Sequence, residues 1–110
     1  MPYIPPRHRQ ELDALIDQLA GRIVQEADKL DQEAAFAGLL NYACTRLVLK
    51  IVHLRFGRLR YWLIALITGT FKNIADEFYR RLAAPYEDRQ ITINGDVDLY
   101  AEFLREFTKI

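Results

Sequence analysis

The chain has one cysteine, Cys44, in 110 residues, which excludes an intramolecular disulfide and fits a reducing compartment. Without a histidine placed to act as its base, that thiol is a poor nucleophile. His8 and His53 have no Cys or His at ligand spacing, which disfavours zinc. No stretch rich in Gly or Ser, no internal repeat and no low-complexity run interrupts the sequence, so a single helical domain is expected over residues 1–110. The start, MPYIPPRHR, places prolines where a secretory leader would need a basic start and an apolar run. The longest uncharged apolar stretch, residues 61–71, falls well short of the roughly 20 residues that span a bilayer. These absences predict a cytoplasmic protein with no membrane partner.

The most informative absence is that of acid from the middle of the chain. Residues 34–75 contain no Asp or Glu but six bases: Arg46, Lys50, Arg55, Arg58, Arg60 and Lys72. Seven acids against four bases precede this segment, and eight acids against five bases follow it, so the net charge is zero. An acidic–basic–acidic order lets the chain neutralise itself by packing, within one subunit or between two, or leaves a basic stripe for a polyanion. Hydrophobic residues make up 51% of the chain and charged residues 27%. That composition is globular rather than disordered, and apolar enough for so small a chain to suggest that a second subunit covers part of it.

Apolar periodicity is helical throughout. Leu12, Leu15, Ile16, Leu19 and Ile23 predict a first helix from about Pro6 to Leu30, with Gly21 a weak point or an end. A second helix is predicted over 36–56 with Gly57 as its cap. Leu40, Cys44, Leu47, Ile51 and Leu54 share one face of it, with Arg46, Lys50 and His53 in a narrow stripe. A third is predicted over 60–84, its face lined by Leu63, Ile64, Ile67, Phe71, Ile74, Phe78 and Leu82. Pro85 should end or kink it, because the residue before a proline is pushed out of helical geometry. Asn94-Gly95 is a strong turn signal and predicts a turn or small β-hairpin near 91–97, with Ile91 paired to Val97. Asp98 then caps a short last helix with Tyr100, Phe103, Leu104 and Phe107 on one side. The expected fold is all-α: a three-helix bundle core, a turn or hairpin and a C-terminal helix.

The phrases MPYIPP, LNYACTRLVLK and EFYRRLAAPYEDRQITINGDV resemble a family of short uncharacterised proteins from phages, archaea and bacteria. The resemblance runs from the start to about Val97 and leaves a helical extension over 98–110. It implies that Asn41, Tyr42, Thr45, Arg46, Glu77, Tyr79, Arg80, Arg81, Pro85, Tyr86, Glu87, Asp88, Asn94, Gly95 and Asp96 belong to a shared signature. It brings no activity with it.

Three functional readings compete. A small all-α nucleotide pyrophosphohydrolase would hold Mg²⁺ between acid pairs on facing helices. Here the second helix has none, and only Glu77, Glu87, Asp88 and Asp96, beside Asp76, remain as ligands; local pairing of Asp76 with Arg80 and Glu77 with Arg81 is the simpler expectation. A nucleic-acid accessory role would use Arg46, Lys50, His53, Arg55, Arg58 and Arg60 against phosphate, although a neutral pI of about 6.7 argues against it. The third reading is a non-enzymatic interaction module, acting as a homodimer or on a protein partner, with no cofactor. Asn41, Tyr42, Thr45, Arg46, Tyr79, Arg80 and Tyr86 are its contact candidates. Asn41 with Thr45, on an apolar flank, would fix the register of packing.

Overall fold

The computed structural model describes residues 2–108, and those residues are helical with no strand among them. Pro5 is extended (φ −57°, ψ 148°) and α1 follows as Pro6–Asp28. The carbonyl of Pro5 accepts the amides of His8 and Arg9, so the proline pair starts the helix where a missing N–H costs nothing. Gly21 does not interrupt it. The second helix, α2, is Ala35–Phe56. It ends as the sequence predicts: Gly57 takes φ 77° and donates its amide to Val52 at 3.1 Å, a left-handed closure that glycine adopts without strain. The chain then turns through Arg58–Arg60 into α3, Tyr61–Phe78. Phe56 and Trp62 meet edge to face across that turn, 5.5 Å between centroids at 88°.

The chain forms two compact units, Met1–Thr70 and Phe71–Ile110. In the first, α1 packs along α2, and Val52 and Leu63 are buried at 5% and 3% exposure. They are the buried hydrophobic residues among those described. The face of α2 expected to form the core lies open instead: Leu40, Leu47, Ile51 and Leu54 are exposed, Leu54 at 74%. Val52, the buried residue of that helix, lies on its other flank beside Val48.

In the second unit the helical path passes through Pro85 rather than ending before it. Tyr79–Ala83 forms a π-helical turn, and α4 continues from it as Ala84–Asn94 with Pro85 in its first turn. Ala84 is helical (φ −62°, ψ −47°) and donates its amide to the Tyr79 carbonyl, five residues back. In a regular helix the proline ring would meet the carbonyl four residues earlier. A turn widened by one residue shifts that carbonyl, and the helix runs on.

The expected hairpin is not present. Residues 91–94 are the last turn of α4, and Gly95 closes it at φ 89° with its amide on the Ile91 carbonyl at 2.8 Å. The Thr92 hydroxyl donates to the Asp88 carbonyl at 3.2 Å and the Asn94 side-chain amide donates to Gln90 Oε1 at 3.1 Å, each four residues back. A glycine at positive φ ends a helix as readily as it turns a hairpin, and these local bonds decide the matter. The last helix, α5, is Asp98–Thr108. Asp98 is its first residue rather than the cap before it, and the Ala101 amide returns to the Val97 carbonyl.

Helix α2 is also long and apolar enough to cross a membrane by length and composition, at 22 residues with a hydropathy of 1.4. Arg46 and Lys50 stand one turn apart at its middle, where a charge is costly in a bilayer, about 2.5–3.5 kcal/mol each on insertion scales.

Candidate interaction site

The candidate residues divide between the two units. In the first, α2 presents Asn41, Tyr42, Thr45, Arg46, Lys50 and His53 along adjoining rows. Thr45 Oγ1 donates to the Asn41 carbonyl at 2.7 Å, and Asn41 Oδ1 lies 3.5 Å from the same hydroxyl. Both residues are exposed, so the pair bears no desolvation cost within one chain. Tyr42, Thr45, Arg46, Leu49, Lys50 and His53 line one open concavity of about 380 Å³. Ala37, Gly38, Asn41, Tyr42 and Thr45 line a second of about 550 Å³.

A third concavity, about 500 Å³, runs between α1 and α2. Leu19 and Ile23 of α1 and Leu39, Ala43 and Leu47 of α2 form its apolar wall, with Arg22, Glu26, Arg46 and Lys50 at its polar edge. Tyr42 borders all three hollows. The α1 contribution was not anticipated from sequence, although the spacing of Arg22, Glu26 and Lys29 signals it. Glu26 accepts from Lys29 Nζ and Arg22 Nη2, each at 3.1 Å. The Lys29 hydrogen bond, then the charges of Lys29 and Arg22, hold the Glu26 carboxyl below its ordinary value of 4.5.

The remaining bases of the acid-free segment are more dispersed. Arg55 places its guanidinium carbon 5.8 Å from the centroid of the Phe56 ring, a distance at which a cation and a π face attract. Arg58 and Arg60 lie in the turn before α3 and are exposed.

In the second unit, the Tyr79 hydroxyl donates to Glu87 Oε2 at 2.6 Å. That bond, followed by the Glu87 charge, raises the Tyr79 phenol above its ordinary value of 10.0. Arg80 Nη2 reaches Glu77 Oε1 at 2.6 Å, an i, i+3 pair. Asp96 Oδ1 accepts the Val97 amide at 2.7 Å. Tyr86 is exposed on α4. Among the described residues no three His, Cys, Asp or Glu side chains come together as a metal site would require. Glu77, Glu87, Asp88 and Asp96 are therefore near in sequence without converging on one point.

Chemically, the first unit offers an apolar hollow with a cationic edge, and the second a tyrosine–carboxylate clasp over a widened helical turn. No curated protein and no solved structure matches the chain. A family model matches residues 1–97, ending one residue before α5 begins, and the chain belongs to that family, described as Domain of unknown function (DUF6899).

Proposed function

We propose that the protein is a non-enzymatic interaction module that works through homodimerisation or a protein partner. The exposed apolar face of α2 carries this reading. Leu40, Leu47, Ile51 and Leu54 are all exposed, and moving a leucine or isoleucine from water into a packed interface contributes about 1.5–3 kcal/mol. A partner that covered this face would complete the helical bundle that periodicity predicts, with α2 buried on more than one side. A protein surface suits α2 better than a bilayer, because Arg46 and Lys50 at its middle would find acids on a protein and none in hydrocarbon. Sedimentation or light scattering across concentration and salt tests the reading. A mass near twice 12.9 kDa, or capture by a defined protein partner, supports it; a monomer that retains no partner at any concentration overturns it.

A second reading, a nucleic-acid accessory role, draws on Arg46, Lys50 and His53 lining one hollow with Tyr42. Clustered cations beside an aromatic ring can hold phosphate and stack a base. Anisotropy of labelled single- and double-stranded oligonucleotides, titrated at several salt concentrations, decides it; salt-insensitive or absent binding removes it.

A further inference from the structure

We propose that two copies of this chain associate about a two-fold axis through α1 and α2, the open stripe of α1 on each copy seating on the open stripe of α2 on the other. The inference rests on the interaction-module reading and assigns its surface and its partner. The chain exposes 10268 Å², whereas a compact monomer of 12.9 kDa exposes about 6,300 Å². By the same scaling, two separate compact bodies the size of its two units would expose about 7,600 Å² together. The excess of about 2,700 Å² over that figure is therefore cover missing within the units themselves. Measured against one compact body, the excess is about 4,000 Å². Contacts between domains of a chain bury about 600–1,500 Å², too little to remove it. Obligate interfaces between chains bury about 2,000–5,000 Å² over both partners.

The α1–α2 pair shows where the cover is missing. Next to the turn at 29–34, Ile23 of α1 and Leu39 and Ala43 of α2 are half-buried. Further from that turn, Leu12, Leu15, Ile16 and Leu19 are exposed on α1, and Leu47, Ile51 and Leu54 on α2. Within one chain the two stripes leave each other open. A two-fold axis covers both at once, because an isologous interface repeats every contact. Charge selects the crossed pairing. Residues 11–19 contain Glu11, Asp13 and Asp17 and no base, and α2 contains Arg46, Lys50 and Arg55 and no acid. None of these six is in an ion pair among the described residues. Seating α1 on α2 therefore opposes unlike net charges, whereas α1 on α1 or α2 on α2 would oppose like ones. The whole chain, with 15 acids and 15 bases, meets a second copy without net repulsion.

Two full-length variants test the assignment: Leu12→Lys with Ile16→Lys on α1, and Ile51→Glu with Leu54→Glu on α2. All four residues are exposed in the single chain, and circular dichroism confirms that each variant keeps its helices. Each variant alone sets like charge against like in both contacts of its homodimer, which should weaken dimerisation by about tenfold or more at roughly 0.15 M salt. An equimolar mixture should regain a dimer with one chain of each kind, because one contact is then wild type and the other sets Lys against Glu. Leu12→Ala with Ile16→Ala keeps helix propensity and should also weaken the dimer; it decides the α1 contact if the lysine pair disturbs the helix. A dimer that the α1 or the α2 substitutions leave intact overturns the assignment, as does weakening without rescue on mixing, and the interaction reading survives either result. A wild-type chain that is monomeric alone but binds a defined different protein overturns the second copy only. One that stays monomeric and retains no partner removes both.

Discussion

The Tyr79 hydroxyl and the Glu87 carboxylate meet at 2.6 Å although eight residues separate them, a spacing that lies off the i, i+3 and i, i+4 rows of a regular helix. The π turn at Tyr79–Ala83 adds a residue between them, and that added residue brings the two side chains onto one face. The hydrogen bond depends on the widened turn, and the widened turn accommodates Pro85.

Replacing the proline should therefore break the clasp without touching it. Pro85→Ala restores a backbone donor and removes the ring, so the turn can return to regular α geometry and swing Glu87 by about 100° relative to Tyr79. Ultraviolet titration should then show the most alkaline tyrosine moving back toward 10.0, the ordinary phenol value. An unchanged titration would mean that the turn persists without the proline.

The same clasp predicts a pH dependence. The Tyr79 phenol is raised in the folded chain, so its contribution to stability is complete below the unfolded value near 10.0 and is lost as pH rises through the higher folded value. Melting curves of the wild type and Tyr79→Phe should differ at neutral pH and converge in strong alkali. A gap that held constant into alkali would sink the assignment.

At the acid end Glu26 behaves in the opposite sense. Its carboxyl is lowered by Lys29 and Arg22, so that stabilisation is present above 4.5 and fades as pH falls through the folded value. Glu26→Gln should lower stability at pH 7 by a small amount, since exposed pairs contribute little, and flatten the acid limb of the melting-temperature profile by the same amount.

Two leucines separate the packed interior from the open face. Leu63, at 3% exposure, should cost about 2–5 kcal/mol when changed to Ala. Leu54, at 74%, should stay within about 0.5 kcal/mol in dilute protein where chains are separate. Chemical denaturation at low concentration makes the comparison; a large Leu54→Ala cost there would place that residue in a monomer core.

Gly57 is the simplest test of the α2 terminus. Its φ of 77° is the left-handed region, and an added Cβ would meet nothing within 4 Å. Gly57→Ala should thus lower stability by about 1–2 kcal/mol through backbone conformation alone, or several degrees in Tm.

Local chemistry was legible in the sequence. The spacing of Leu12, Leu15, Ile16 and Leu19 gave α1, Gly57 marked the end of α2, and Tyr100, Phe103 and Phe107 marked α5, because periodicity and capping act over a few residues. Asn41 and Thr45 were likewise visible as a pair, one turn apart on α2. What only the tertiary structure decided depends on contacts or on a change of register. Pro85 permits a break or a continuation, and the widened turn selected continuation; Asn94-Gly95 permits a hairpin or a helix end, and local bonds kept 91–94 helical up to Gly95. Apolar periodicity identifies a face that seeks cover without naming what covers it, so Leu54 and Val52 looked alike in kind. Packing made Val52 part of the interior and left Leu54 on the outside.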